Sequence, residues 1–271
     1  MQGANNKINR KVKMNIVGII PARMASSRFP GKPLAKILGM PMIGHVYYRS
    51  KMCDALSEVY LATCDEEIEE YMLSINGKVI MTSTTHVRAS DRTAEAMLKI
   101  EEKTSQSIDF VVMIQGDEPM LTPAMIKASL APFEDSSVNV VNLMGKIDLV
   151  EEFEDPNEPK VVVDKNNDAI YFSREPIPSR KKGVKDVPMY KQVCVIPFRR
   201  DYLLQFNQMP ETDLECIESI DMNRIIEYGE KIRMVHIDEN LYSVDTKEDL
   251  KKVEILMQND TLIDDYLTVE A

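Results

Sequence analysis

The apolar residues fall into short continuous runs, separated by stretches in which they recur every three or four positions. Ile16-Val17-Gly18-Ile19-Ile20 is the first run and predicts a strand buried on both faces. Residues 41–53 open at Pro41 and carry Met42, Ile43, Val46 and Met52, which predicts a helix. Val59 to Ala62 predicts a second strand, and Asp65 is placed to cap an acidic helix through about Leu73. Residues 78–81 predict a short strand, Thr93 to Ile100 a helix, and Phe110 to Ile114 another buried strand. A further helix starts near Thr122-Pro123. Strands alternating with helices in this way predict an α/β fold: a mostly parallel sheet flanked by helices.

From about Ser137 the rhythm changes. Strands are expected at 138–143, 161–163, 169–172 and 193–198, with little helix between them. Residues 174–188 hold three prolines and a cluster of Lys and Arg, and read as an exposed loop. Helical spacing returns at 213–228 and 246–257, with His45 expected on a helix and His236 just after a strand. We find no internal repeat. The expected organisation is one domain over 14–257 with a smaller inserted lobe at about 137–212, and flexible ends at 1–13 and 258–271.

Composition narrows the function. A net charge of -11 argues against a protein that holds nucleic acid by neutralising phosphates. It also makes any local concentration of cations informative. Four scattered cysteines without CxxC spacing suit neither a zinc site nor a disulfide framework and suggest a reducing, cytoplasmic setting. Residues 1–13 lack the apolar core of a signal peptide, and no apolar run reaches membrane-spanning length, so no membrane partner is expected.

The cations concentrate in one loop. Pro21-Ala22-Arg23-Met24-Ala25-Ser26-Ser27-Arg28-Phe29-Pro30-Gly31-Lys32-Pro33 leaves the C-terminal end of the first strand, where open α/β sheets bind ligands. Arg23, Arg28 and Lys32 can neutralise a triphosphate, with backbone N–H groups from residues such as Ala22 and the Ser27 hydroxyl beside them. The loop is not a P-loop, since Lys32 precedes Pro and no GxxxxGK is present. Gln115-Gly116-Asp117-Glu118-Pro119 follows the strand 110–114 and puts a carboxylate at the same sheet edge. Asp117 suits Mg²⁺, which takes few protein carboxylates and shares its other positions with water and phosphates; the plainer alternative is a turn. Tyr242-Ser243-Val244-Asp245-Thr246 also ends in a carboxylate. Asp245 would be a second metal ligand only if the fold brings it beside Asp117, and Thr246 with Asp249 reads equally as a helix capping box.

Taken in order, IIPARMASSRFPGKPL (19–34), HVRASDR (86–92), QGDEP (115–119), YFSREPIP (171–178), LECIESIDMNRIIEYGEKI (214–232) and SVDTKEDL (243–250) resemble the CMP-KDO synthetases, the 3-deoxy-manno-octulosonate cytidylyltransferases. The resemblance spans roughly residues 15–257. It implies a Rossmann-like nucleotidyltransferase fold that forms a homodimer through the smaller lobe, couples CTP to an acidic sugar, and uses Mg²⁺. By the same resemblance Arg23, Arg28 and Lys32 hold CTP, Asp117 and Asp245 hold the metal, and Arg92 lies near the nucleotide. Gln115, Arg174, Glu215 and Glu218 match positions near the sugar acid.

Two departures point at the acceptor. Arg88 adds a cation where the family usually reads HxSGT(D/E)R. Gln192 and Cys194 stand where it usually has His and Gly in H(I/L)GIY. Nucleotide chemistry is therefore expected with either 3-deoxy-manno-octulosonate or another acid acceptor, such as an amino-octulosonate, another nonulosonate or a phosphonate. A nucleotide-binding regulatory protein without turnover is a further alternative. A metal-dependent glycosyltransferase fits less well, because no DxD follows a strand.

Overall fold

The computed structural model describes residues 14–25, 28–184, 186–239 and 241–267. In chain order the first half comprises β1 (Ile16–Pro21), the short β2 (Lys36–Ile37) and β3 (Met40–Pro41), α1 (Met42–Lys51), β4 (Glu58–Thr63), α2 (Glu66–Ser74), β5 (Val79–Met81), α3 (Ala89–Thr104), β6 (Phe110–Ile114) and α4 (Pro123–Leu130). The second half comprises β7 (Val141–Lys146), α5 (Val150–Glu154), β8 (Lys160–Val163), β9 (Ala169–Ser173), β10 (Tyr190–Val193), β11 (Val195–Arg199), α6 (Arg200–Gln208), α7 (Asp213–Glu218), α8 (Met222–Glu227), β12 (Arg233–Ile237) and α9 (Lys247–Met257).

The first sheet has the order β11-β6-β1-β4-β5, parallel except for β11. Its central strand shows why the continuous apolar run was needed. Val17 and Ile19 face α3, where Ala96, Met97 and Ile100 wait, whereas Ile16 and Ile20 face α1 and α4 through Ile43, Val46, Met125 and Ile126. Covering both faces leaves the strand ends as the places where loops, and therefore chemistry, can reach solvent. The α/β expectation holds.

The second sheet, β12-β7-β10-β8-β9, is mostly antiparallel. The two sheets exchange strands across the boundaries expected for a lobe at 137–212. β10 and β11 are one extended segment that changes sheets at Cys194, and β12, from beyond residue 212, pairs in parallel with β7. His236 lies within β12 rather than after a strand, its ring edge-on to Tyr190 at 5.4 Å. The helix expected over 213–228 is broken in two, since Ser219 adopts φ 53° and closes α7 before Asp221 opens α8.

The N-terminal segment 1–13 lies outside the described residues. Residues 258–267, expected to fray, are docked. Ile263 and Tyr266 are buried with Phe29, Met42, Val244 and Val253. The Tyr266 hydroxyl meets His45 Nδ1 at 2.8 Å and accepts from Arg49 Nε at 3.0 Å, while Arg49, fully buried, reaches Asp260 at 2.5 Å. His45 Nε2 lies 2.8 Å from the Ile37 carbonyl. Burial holds the His45 pKa down to about 4, against the opposing pull of that carbonyl.

The unfolded chain binds this proton near the ordinary His value of 6.5, whereas the folded one refuses it until about pH 4. Between those values the unfolded state carries the extra proton, so stability falls as pH is lowered from 6.5 towards 4. Urea midpoints at pH 7.5 and 5 should report a loss on the order of 1–2 kcal/mol that His45→Gln removes. An equal loss in both proteins would place its source elsewhere.

Candidate active site

Three loops at the C-terminal ends of the strands build one centre. The first follows β1. Ala22 N–H is tied to the Ala62 carbonyl at 2.9 Å and Met24 N–H to Asp65 Oδ2 at 2.7 Å. Gly31, at φ 75°, makes the left-handed turn that starts the 3-10 turn at Lys32–Leu34. The second follows β6, where Gly116 lets α1 approach: a Cβ there would lie 2.7 Å from Ile43 Cδ1. The third precedes α9. Thr246, not Asp245, supplies the cap, accepting from Asp249 N–H at 3.2 Å. The capping box and the site are therefore compatible, because the Asp245 carboxylate is left over.

That carboxylate turns towards Asp117. Val244 N–H donates to the Asp117 carbonyl at 3.0 Å, joining the second and third loops. Lys32 Nζ lies 2.7 Å from Asp117 Oδ2 and 3.1 Å from Asp245 Oδ1, and Arg28 Nη2 is 3.0 Å from the same Asp245 oxygen. Burial pulls the Lys32 pKa down, but the charges of Asp117 and then Asp245 outweigh it and leave it above the ordinary value. Residues 85 and 213 positions from Lys32 thus converge on one ammonium group.

Two clefts meet at this centre. One, of about 310 Å³, is lined by Arg23, Arg28, Lys32, Arg88 and Arg92 against Asp117 and Asp245, with Ala22 and Gln115 on its wall. Five cations to two carboxylates reverse the sign of the whole chain locally, as anion binding requires. The other, of about 180 Å³, shares Arg28, Gln115, Asp117 and Asp245 and adds Arg174, Gln192, Asp221 and Glu158 among others. A molecule in each would meet at the two aspartates.

The remaining candidates divide. Ser27 lies outside the described residues. Arg92 is buried and donates to the Thr82 hydroxyl. Arg88 lies 3.0 Å from both Glu211 and Glu215, so it lines the first cleft while paired to the second half of the chain. Glu218 borders neither cleft: it accepts from Tyr171, Ser173 and the Arg174 N–H at 2.7 to 2.8 Å, and its carbonyl accepts from Arg174 Nε. It fixes Arg174, which does border the second cleft. Glu215 also borders neither. It is fully buried and paired with Arg224 at 2.5 and 2.6 Å. Gln192 is buried and donates to Asn142 at 2.7 Å.

Sequence reasoning passed over Asn157, Glu158, Ser219 and Asp221, all on the second cleft. A second capping residue, Asp221, inside a supposed helix was the available signal. It also passed over Glu118, which is buried beneath Asp117. Ser243 Oγ donates to Glu118 at 2.9 Å and Cys194 N–H at 3.3 Å, and burial, then the Asp117 charge, push its pKa up to about 8. Through these two bonds its carboxyl braces the β6 loop against the β10–β11 corner and the loop before α9.

A sequence profile described as Cytidylyltransferase matches residues 17–232. The chain belongs to this family. It is 41% identical over 251 residues to the 3-deoxy-manno-octulosonate cytidylyltransferase of Geobacter metallireducens, covering 89% of this chain and 96% of the relative. The enzyme of the same description from Geotalea uraniireducens is also 41% identical over 251 residues, with 89% and 98% covered. A solved CMP:2-keto-3-deoxy-manno-octonic acid synthetase complexed with CTP superposes with a TM-score of 0.82 at 37% identity, covering 91% of this chain and 99% of that one. The enzyme is thus a nucleotidyltransferase, and the resemblance read from its motifs holds. Among the described residues no helix is long and apolar enough to cross a membrane.

Its two aspartates suit a divalent cation. Their carboxylates already share one cationic group, and among the described residues no cluster of three or more His, Cys, Asp or Glu side chains offers a complete shell. A hard cation that takes two carboxylates and fills its other positions from phosphates fits that donor set.

Proposed function

We propose that the enzyme couples CTP to 3-deoxy-manno-octulosonate, with the nucleotide in the larger cleft and the sugar acid in the smaller. The observation that carries this reading is the meeting of the two clefts at Asp117 and Asp245. The anomeric hydroxyl oxygen of the sugar forms a bond to the α-phosphorus of CTP. The bond from that phosphorus to the bridging oxygen breaks, pyrophosphate leaves with the electron pair, and the hydroxyl proton passes to a base.

Arg23, Arg28, Lys32 and Arg92 bind and neutralise the triphosphate, with Ala22 and Ser27 on the same loop. Gln115 borders both ligands and orients one against the other. Arg174, held by Glu218, pairs with the sugar carboxylate, and Gln192 lines its pocket. Glu215 and Arg88 act behind the contacts, tying α7 to the nucleotide cleft. Asp117 and Asp245 would hold Mg²⁺, which supplies positive charge to the phosphates when bound. A homodimer through the smaller lobe and a cytoplasmic location belong to the same reading. The first is supported by the exposed Ile170 on β9, the second by four free cysteines.

One observation favours a second acceptor. Gln192 spends its amide on Asn142, and the sheet-changing corner beside it carries the Cys194 side chain, so among the described residues lining the pocket none offers an imidazole to a sugar hydroxyl. Pyrophosphate release should be measured with each nucleoside triphosphate against 3-deoxy-manno-octulosonate, its amino-substituted analogue, a nonulosonate and a phosphonate. CTP with 3-deoxy-manno-octulosonate is expected to give the highest kcat/KM. Release with another acid and none with this one would reassign the acceptor, and CTP binding without release from any acid would leave a regulatory protein.

A further inference from the structure

Lys32 sits where a metal would. Its Nζ lies between the carboxylates of Asp117 and Asp245, and its side chain is only 13% exposed. Arg28 takes a further share of Asp245 from the solvent side. A dication shared by the two aspartates needs the same oxygen lone pairs that the ammonium now occupies, and the two cations repel one another. Removing Lys32 without replacement would leave two partly buried carboxylates facing each other, so in the absence of ligands the lysine is what makes the aspartate pair tolerable.

We propose that Lys32 is a placeholder cation: it fills the metal seat of the nucleotide-free enzyme and leaves only when a triphosphate offers it another anion. This rests on the assignment of Asp117 and Asp245 as metal ligands. The larger cleft supplies the exchange, because Lys32 lines it together with Arg23, Arg28, Arg88 and Arg92. A triphosphate there draws the ammonium away from the aspartates while bringing its own oxygens to complete the shell of a hard cation. Metal and nucleotide binding are therefore strongly coupled. The metal does not stand ready in the empty enzyme, and each ligand raises the affinity for the other by the same factor.

The test is binding, not turnover. Free Mn²⁺ is followed by its paramagnetic resonance signal as protein is titrated, with and without a CTP analogue whose α,β-bridging oxygen is replaced by methylene, and the Mn²⁺ held by the analogue alone is measured separately and subtracted. The unmodified enzyme alone is expected to bind Mn²⁺ at least about tenfold more weakly than Lys32→Met. The analogue should raise the affinity of the unmodified enzyme by at least the same factor, and that of the variant by much less. Lys32→Gln, which retains a polar end, serves as a second variant should Lys32→Met fold poorly, and circular dichroism checks both. Equal Mn²⁺ affinity of variant and unmodified enzyme without nucleotide would overturn the placeholder role while leaving the metal site intact. Absence of Mn²⁺ binding from every protein even with the analogue would instead overturn the metal assignment, and the placeholder role with it.

Discussion

Asp117→Asn is expected to lower kcat/KM for pyrophosphate release by about 10³-fold or more, with the fold unchanged. The substitution keeps the size of the side chain but removes the charge that pairs with Lys32 and that, on the proposed reading, would hold the divalent cation. Asp245→Asn should act in the same direction. It should cost less, because Asp245 is also paired to the half-exposed Arg28, whereas Asp117 is anchored by backbone to the loop that carries its partner. Arg23→Ala, removing one of five cations on the larger cleft, is expected to weaken CTP binding by about 10-fold. If Asp117→Asn retained near-normal turnover, the aspartate pair would be a structural ion-pair site, and the two clefts would have to work from some other centre.

How far this centre can be read from the chain alone depends on where each residue stands relative to a strand. The apolar runs ending at Ile20 and Ile114 announce buried parallel strands, and a polar residue immediately after such a run must emerge at the ligand edge of the sheet. That is why Arg23 and Asp117 were legible, and Lys32 with them only as a further cation on the loop that Arg23 opens. Asp245 was legible only as a candidate, because no strand pattern reveals that the loop before α9 folds back onto Asp117. β12 went unread. In Arg233-Met234-Val235-His236-Ile237 only Met234 and Ile237 are buried, a spacing that is not the period of a strand, and its pairing with β7 joins residues some ninety positions apart. The positive φ at Ser219 leaves no trace in the apolar spacing, so the break it makes was overlooked although Asp221 stands just after it. Residues 258–267 look like an acidic tail because their partners, His45 and Arg49, lie two hundred residues earlier on the buried face of α1.

Glu215 shows how a correct motif position can carry a different physical role. By resemblance it belongs near the sugar acid, yet its carboxylate is fully buried and engaged by Arg224 at 2.5 and 2.6 Å and by Arg88 at 3.0 Å. It also accepts from the Thr212 N–H at 3.3 Å, at the start of α7. Arg224 has little other recourse: it is buried over the Phe206 ring, with only the Phe206 and Met209 carbonyls as further acceptors among the described residues. Glu215→Ala would therefore strand a buried guanidinium and release the start of α7 together. The expected loss in urea-denaturation free energy is about 3–5 kcal/mol, a large fraction of what a domain of this kind possesses. Because α7 ends at the Ser219 turn that delivers Ser219, Ile220 and Asp221 to the smaller cleft, the surviving folded enzyme should also show a raised KM for the acceptor. Its KM for CTP should change less. A contact residue would behave oppositely, with unaltered stability and a pure acceptor defect. The pair of measurements, unfolding and acceptor KM on one variant, separates the two roles.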